Sequence, residues 1–264
     1  MELRDRVVVV TGASSGIGEA TGVAFAKRGA RVVLVARRGD RLEALAARIG
    51  RAGGSALAWT GDVTDTAKLE KLPGIVQELT GRPVDVLVNN AGVPGGGPFV
   101  ELSHEQIDHV VEVNLSAVLH ATRAFLPGML SRGNGHIVNV ASLAGRFASP
   151  GTAVYTATKH AVVGFSESLH YDTEPAGVHI TAVNPGLVAT EGFPQNGIPG
   201  RLVMPAERVA EAIVHVVRNG IAPEYSVPRW IAPFQVFRVL TPPLYRLGVR
   251  TARRATPPTG AKRR

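Results

Sequence analysis

Short apolar runs alternate along the chain with segments whose apolar residues recur at helical spacing. Such runs suit strands that are buried on both faces of a sheet. The predicted strands are VVVV (7–10), VVLVA (32–36), ALAW (56–59), VDVLVN (84–89), HIVNVAS (136–142) and HITAVN (179–184). The predicted helices cover 19–28, 40–49, 67–79, 105–129 and 152–172. This alternation predicts an α/β fold, a doubly wound parallel sheet (Rossmann-like) with helices on both faces.

The composition changes near residue 218. Residues 1–218 hold all the predicted elements and form one predicted domain, and residues 219–264 are a basic, Pro-rich C-terminal extension. The net charge of +8 arises in the tail, because residues 218–264 contain ten Lys and Arg but only one acidic residue, Glu224. The chain has no cysteine, which excludes disulfides and thiolate metal sites, and we predict no metal site. Without a signal-peptide core or a spanning apolar run, a cytoplasmic location is expected.

A glycine-rich turn, TGASSGIG (11–18), joins the first predicted strand to the first helix. Gly12, Gly16 and Gly18 would let the backbone approach a pyrophosphate, and the helix N-terminus would offer its N–H groups to the phosphates. The spacing differs from GxGxxG, and no GK[ST] follows as in a P-loop. A tight turn that simply requires glycines is the alternative, but its place at the first strand–helix junction favours nucleotide binding.

The segment YTATK (155–159) places Tyr155 and Lys159 on one face of a predicted helix. A phenol titrates near pKa ~10, and a nearby ammonium favours the phenolate, which brings the group closer to working pH. An isolated pair of this kind is more often solvated on the surface. Ser142 favours the catalytic interpretation, because it ends an apolar strand at the sheet edge where ligands bind.

TGxxxGxG followed by YxxxK resembles the classical short-chain dehydrogenases/reductases. The resemblance covers roughly residues 5–218 and includes NNAG (89–92) and PGLVAT (185–190). It implies that Tyr155 passes a proton to or from the oxygen of a carbonyl or alcohol, and that Ser142 polarises this oxygen. It also implies that Lys159 lowers the Tyr155 pKa and binds the nicotinamide ribose, and that Asn114 holds a water linking Lys159 to solvent.

The end of the second strand indicates NADP(H) as the cofactor. NAD-preferring relatives carry an acidic residue where this chain has Ala36, and Arg37 and Arg38 would instead bind a 2′-phosphate. Two solvated arginines are the alternative, and Ser15 departs from the basic residue found in many NADP-specific relatives. The remaining cofactor contacts implied by the resemblance are Gly12, Ser14, Ser15, Gly16, Ile17, Gly18, Asp62, Val63, Asn89, Ala91, Gly92, Tyr155, Lys159, Pro185, Gly186, Val188 and Thr190.

These motifs predict an NADP(H)-dependent oxidoreductase that interconverts a carbonyl and an alcohol. The alternative is a non-catalytic NADP(H)-binding sensor or interaction protein, which would not need the complete set of Asn114, Ser142, Tyr155 and Lys159. The stretch 186–205 corresponds to the family's substrate lid and favours a lipophilic ketone, aldehyde or alcohol. Packing of its apolar residues on the enzyme's own core is equally consistent with the sequence. These residues are Phe193, Ile198, Leu202, Val203 and Met204.

The role of the C-terminal extension stays open. It does not read as a seventh strand followed directly by a chain end, and helices are predicted from Pro233 to Leu240 and from Pro243 to about Arg254. Apolar aromatics beside an arginine face suit an anionic membrane surface. A cover over the pocket or a subunit interface, with about the last ten residues disordered, is the favoured alternative. A homodimer or homotetramer is implied by the resemblance, and no nucleic-acid partner is expected.

Overall fold

The computed structural model describes residues 1–148, 150–193, 200, 203–235 and 240–246. Seven parallel strands form one sheet in the order β3-β2-β1-β4-β5-β6-β7, which confirms the doubly wound α/β prediction. The strands are β1 (Val7–Thr11), β2 (Arg31–Ala36), β3 (Ser55–Thr60), β4 (Val86–Asn89), β5 (Gly135–Val140), β6 (Val178–Pro185) and β7 (Glu224–Val227). The α-helices are α1 (Gly16–Ala26), α2 (Gly39–Arg51), α3 (Thr66–Thr80), α4 (His104–Val111), α5 (Ala117–Arg132), α6 (Ala153–Thr173) and α7 (Ala206–Asn219).

Strand β1 shows why the apolar runs become central strands. All of its residues are buried, and successive side chains leave opposite faces of the sheet. Val8 and Val10 belong to the core beneath α1, α2 and α7, whereas Val7 and Val9 belong to the core beneath α3 and α5. Since both faces are covered, every position must be apolar, and this continuous pattern is what identified the strand.

The strand order reverses between β1 and β4. The chain runs from β1 outward through β2 to β3, and then crosses to β4 on the other side of β1. A crevice opens at the carboxyl ends of two such strands, because the connections leave them in opposite directions. The glycine-rich turn and the NNAG segment meet at this crevice, where Asn90 Nδ2 donates a hydrogen bond of 2.9 Å to the Thr11 carbonyl.

The C-terminal extension provides a seventh strand, β7, that was not among the strands predicted from the sequence. Strand β7 pairs in parallel with β6, and Val227 lies opposite Pro185. The strand has four residues, EYSV, and stands between Pro223 and Pro228, so it lacks the apolar run that marked the other strands. The sheet therefore continues beyond residue 218, where the sequence placed the end of the domain.

The two helices predicted in the tail lie partly outside the described residues. Arg229–Phe234 form a 3₁₀ helix, and residues 242–246 are helical. Residues 236–239 and 247–264 are not among those described, so of the predicted arginine face, Arg246, Arg250, Arg253 and Arg254, only Arg246 lies within the described residues. Within the described part of the chain, no helix is both long enough and apolar enough to cross a membrane.

Candidate active site

A cleft with a volume of about 900 Å³ runs along the carboxyl edge of the sheet, above the crevice between β1 and β4. Most residues predicted from the sequence line this cleft. They are Gly12, Ser14, Ser15, Gly16, Ile17, Arg37, Arg38, Asp62, Val63, Ala91, Gly92, Ser142, Tyr155, Lys159, Pro185, Gly186, Val188 and Thr190. The fold thus brings together segments that are far apart in the chain.

Close packing requires the glycines of the turn. Gly12 has φ +66°, and a Cβ added there would lie 2.8 Å from the Ala91 Cα. At Gly18 a Cβ would lie 2.3 Å from the Gly12 carbonyl oxygen, closer than real contacts allow. The turn therefore presents backbone rather than side chains to the cleft. Ser15 precedes α1 without capping it through its side chain, so this helix start can face an anion.

The two arginines predicted to bind a 2′-phosphate contact different residues. Arg38 donates to the hydroxyls of Ser14, at 2.9 and 3.1 Å, and Ser15, at 2.8 Å, so its guanidinium lies against the glycine-rich turn. Arg37 instead lies 3.7 Å from an Asp62 carboxylate oxygen. Sequence reasoning missed Arg41, which donates to the same carboxylate as Arg38, that of Glu191. The signal was present in the stretch ARRGDR, where the third arginine begins the next helix.

Tyr155 and Ser142 meet as the sequence predicted. Ser142 follows β5, its Oγ accepts a hydrogen bond of 3.1 Å from the Ala144 N–H, and it lines the cleft together with Tyr155. Burial raises the pKa of Tyr155, and the hydrogen bond with Ser142 offsets part of this rise. The expectation that the Tyr155 pKa is lowered is therefore wrong for this structure, because loss of solvation outweighs the favourable contacts.

Lys159 is almost fully buried one helical turn beyond Tyr155. Its Nζ donates a hydrogen bond of 2.9 Å to the Val140 carbonyl and lies 5.7 Å from the centre of the Tyr155 ring. Burial lowers the Lys159 pKa from 10.5 to about 8. An ammonium whose pKa lies this close to neutrality can lose its proton within the ordinary working range of an enzyme.

Asn114 lies behind the wall of the cleft in a short π-helical turn, Glu112–Ser116, that interrupts the predicted helix 105–129. Its fully buried amide accepts from the Val93 N–H at 2.8 Å and donates to the Val93 carbonyl at 2.9 Å. It thereby fixes the loop after β4, and its Oδ1 lies 3.2 Å from where a Gly92 Cβ would stand. The water link to Lys159 stays a prediction.

Two further predicted cofactor residues, Asn89 and Gly18, do not line the cleft. Asn89 is buried in β4, where its Nδ2 donates to Thr122 Oγ1 at 3.2 Å and to Asn139 Oδ1 at 2.9 Å. These bonds join β4 to its neighbours beneath the cleft floor. Asn89 and Gly18 therefore support the floor of the cleft, and their direct contact with a cofactor stays a prediction.

The end of the cleft beside Tyr155 is mainly apolar. Phe193 packs against Tyr155, with the two ring centres 5.7 Å apart. Met204 is buried with the core beneath α7, so this predicted lid residue packs inside the protein. Of the other lid residues, Ile198 and Leu202 lie outside the described residues. The apolar lining includes Val93, Pro94, Leu143, Ala144, Phe147 and Leu187, of which Phe147 was not foreseen.

The C-terminal segment reaches the rim of this apolar end. The Tyr245 hydroxyl accepts a hydrogen bond of 2.8 Å from the Ala148 N–H, and its ring centre lies 6.5 Å from that of Phe147. Both partners belong to the loop that follows Ser142 and line the cleft. The tail thus lies beside the rim of the cleft.

Comparisons with known proteins agree with this geometry. A family model described as short chain dehydrogenase matches residues 6–197. The putative ketoacyl reductase of Streptomyces coelicolor is 39% identical over 82% of this chain and 91% of its own length. The glycine betaine reductase ATRR of Emericella nidulans is 38% identical over 82% of this chain, which spans only 18% of that protein.

Two solved structures are similar over nearly their full length. A variant of actinorhodin polyketide ketoreductase with NADPH is 35% identical with a TM-score of 0.79, covering 84% of this chain and 95% of that one. A short chain dehydrogenase/reductase from Burkholderia phymatum in complex with NAD is 29% identical with a TM-score of 0.82, covering 92% and 96%. Both cofactor types thus occur among similar structures.

Proposed function

This chain belongs to the short-chain dehydrogenase family, and on that premise we propose that it is an NADP(H)-dependent oxidoreductase that interconverts a lipophilic ketone or aldehyde and its alcohol. One observation carries the proposal. The Ser142 and Tyr155 side chains come together at the carboxyl edge of the sheet, with the buried Lys159 beside them, in the cleft that holds the glycine-rich turn. The proton donor Tyr155, its neighbour Ser142 and the glycine-rich turn that would bind a dinucleotide thus line the same cleft.

The side chains suit proton transfer to a carbonyl oxygen. A bound nicotinamide would supply the hydride. The raised pKa of Tyr155 keeps the phenol protonated at neutral pH, the form needed to donate to the substrate oxygen. Ser142 can hydrogen-bond the same oxygen, since it lines the cleft together with the phenol. Lys159 can stabilise the phenolate electrostatically and approach the ribose, because it lines the cleft itself and a Cβ at Gly92 would lie only 3.8 Å from its Nζ.

The residues present fit a dinucleotide with a 2′-phosphate. The turn presents Gly12 and Gly16 to the cleft without side chains, as expected where backbone faces a pyrophosphate. Arg38 lies against Ser14 and Ser15 at the turn, and a guanidinium flanked by hydroxyls suits a phosphate monoester. Ala36 ends β2 without a carboxylate that would repel it. These features support NADP(H) over NAD(H), and Arg38 is the main determinant.

The apolar end of the cleft supports a lipophilic substrate. Phe193 lies against Tyr155, and Phe147, Leu143 and Val93 add to the apolar lining. The contact of Tyr245 with Ala148 favours the tail as a cover for this end over a peripheral membrane segment. A homo-oligomer through the surfaces of α4, α5 and α6, and a cytoplasmic location, remain predictions from the family resemblance and the sequence.

A non-catalytic NADP(H) sensor is the competing proposal. A sensor needs the glycine-rich turn and Arg38 but not a buried lysine next to a tyrosine and a serine. Holding Lys159 almost fully buried costs solvation free energy, and its lowered pKa reflects this cost. A binding module gains nothing from that cost, so the catalytic proposal is preferred.

The proposal is tested by paired binding and turnover measurements. We expect titration of the full chain to give tighter binding of NADPH than of NADH, with Arg38→Ala weakening NADPH by roughly tenfold or more and NADH little. On a panel of lipophilic ketones and aldehydes, Tyr155→Phe should lower kcat by roughly 10²–10⁴-fold. Tyr171→Phe is the matched control, because Tyr171 lies exposed on the same helix.

Each component can fail separately. A preference for NADH, or NADPH binding that is indifferent to Arg38, would refute the cofactor assignment. Turnover that survives Tyr155→Phe would refute the catalytic assignment. Tight cofactor binding with no turnover of any carbonyl or alcohol would favour the sensor.

A further inference from the structure

Glu191 lies on the tip of a short turn after β6 and is bound by two arginines of the opposite wall. Its carboxylate accepts hydrogen bonds from Arg38 Nη1 at 2.9 and 3.0 Å and from Arg41 Nη1 at 2.5 Å. The three side chains are partly exposed, and Arg38 and Glu191 line the cleft. The two arginines lower the pKa of Glu191, so the group is a carboxylate at neutral pH. Arg38 is also the residue that bonds Ser14 and Ser15 of the turn.

We infer that Glu191 is a cofactor-specificity residue that competes with the 2′-phosphate of NADP(H) for the guanidinium groups of Arg38 and Arg41. The inference rests on the proposed function, because it assumes that Arg38 binds that phosphate. A carboxylate and a phosphate both accept from guanidinium in the same bidentate way, so they contend for the same N–H groups. A phosphate that arrives at Arg38 must also tolerate the negative charge of Glu191 nearby. Through both effects Glu191 lowers the affinity for NADP(H) and leaves the affinity for NAD(H) unchanged.

The turn that carries Glu191 connects this competition to the catalytic tyrosine. Thr190 and Phe193 close the turn through paired backbone hydrogen bonds of 3.1 and 3.4 Å. At one end Glu191 is held by the arginines, and at the other the Phe193 ring lies against Tyr155. Thr190 also packs on the glycine-rich turn, because a Cβ at Gly16 would lie 2.8 Å from its methyl group. Displacement of Glu191 by a 2′-phosphate would therefore loosen the segment that covers Tyr155.

The test compares NADPH and NADH affinities, measured by calorimetry on the full chain, in the wild type and in Glu191→Gln. We expect Glu191→Gln to tighten NADPH binding by about three- to tenfold, the gain expected from removing one or two exposed ion pairs that compete, and to change NADH binding by less than about twofold. Glu211→Gln is the matched control, since Glu211 is an exposed carboxylate paired with Arg28 away from the cleft. It should leave both affinities unchanged.

The Glu191→Gln result also distinguishes competition with the 2′-phosphate from a supporting role of Glu191. If Glu191 instead orients the arginines for the phosphate, Glu191→Gln will weaken NADPH binding, and the inference is overturned. Unchanged NADPH affinity overturns it as well. Arg41→Met should weaken NADPH binding if Arg41 shares the phosphate, and an unchanged affinity would remove Arg41 from the proposal.

Failure of the inference is distinguishable from failure of the proposed function. If wild type prefers NADPH and Arg38→Ala abolishes the preference while Glu191→Gln does not tighten it, only the role of Glu191 is wrong. If the wild type prefers NADH, or if Arg38→Ala leaves NADPH binding unchanged, the cofactor assignment is wrong. The proposed competition by Glu191 is then wrong as well.

Discussion

Lys159 is the residue whose protonation should set the upper pH limit of carbonyl reduction. Burial lowers its pKa to about 8, so it loses its proton between about pH 7 and 9. The pKa of Tyr155 is raised, so the phenol remains protonated across the same window. We therefore expect kcat/KM for reduction to fall above pH 8 in the wild type. In Lys159→Met it should be lower at every pH and flat between pH 7 and 9, because the titrating group is gone.

The control for this pH profile is Lys68→Met, which removes an exposed lysine of α3 that pairs with Asp65. It should reproduce the wild-type profile. A fall near pH 8 that persists in Lys159→Met would show that another group, such as the cofactor or the substrate, causes it. The profile would then give no support to a catalytic role for the ammonium.

Sequence and structure agree best where one residue type has one physical reason to be there. Gly18 was predictable because only glycine fits against the Gly12 carbonyl, and Tyr155 and Lys159 were predictable because helical spacing alone brings them together. The Glu191 contacts were not predictable. They join residues 150 and 153 positions apart in the chain, and only the tertiary fold determines which arginine faces which carboxylate.

At the scale of elements, β7 anchors the loop that carries Ser142. The Glu224 carboxylate accepts from Arg146 in that loop, from Asn184 of β6 at 2.6 Å and from Gln235 at 3.2 Å. We expect Glu224→Gln to lower the free energy of unfolding by about 1–3 kcal/mol, the range for hydrogen bonds to charged groups. It should also lower kcat, since the loop after Ser142 loses its anchor. Urea unfolding and steady-state kinetics measure the two effects.

Glu167→Gln provides the matched control for this anchor. Glu167 lies 3.6 Å from the same Arg146 but is more exposed, so its loss should cost under about 0.5 kcal/mol and leave kcat unchanged. Equal effects of the two substitutions would mean that charge near Arg146 matters and the strand does not. The strand itself escaped prediction because its short sequence, bracketed by prolines, carries a polar network rather than an apolar core.

At the scale of the whole molecule, buried neutral histidines should set the acid limit of stability. His136 of β5 is fully buried, its Nε2 pairs with Thr181 Oγ1 at 2.8 Å, and its ring centre lies 5.6 Å from that of His179. Burial, followed by the charges of His179, the N-terminus and His170, lowers the His136 pKa from 6.5 to about 3. The folded state thus keeps this group neutral at pH values where the unfolded chain protonates it.

The sign of this effect follows from proton binding. Below pH 6.5 the unfolded chain binds a proton that the fold excludes, so the stability present above pH 6.5 is lost progressively as the pH falls towards 3. The free energy of unfolding should drop by about 1 kcal/mol between pH 7 and 5.5, and by about 1.4 kcal/mol for each further pH unit. His136→Gln, which keeps a polar atom near Thr181, should flatten this slope, whereas the exposed His120→Gln should keep it. A slope unchanged by His136→Gln would assign the acid sensitivity to other groups, with His179, whose pKa is also lowered by burial, the next to be substituted.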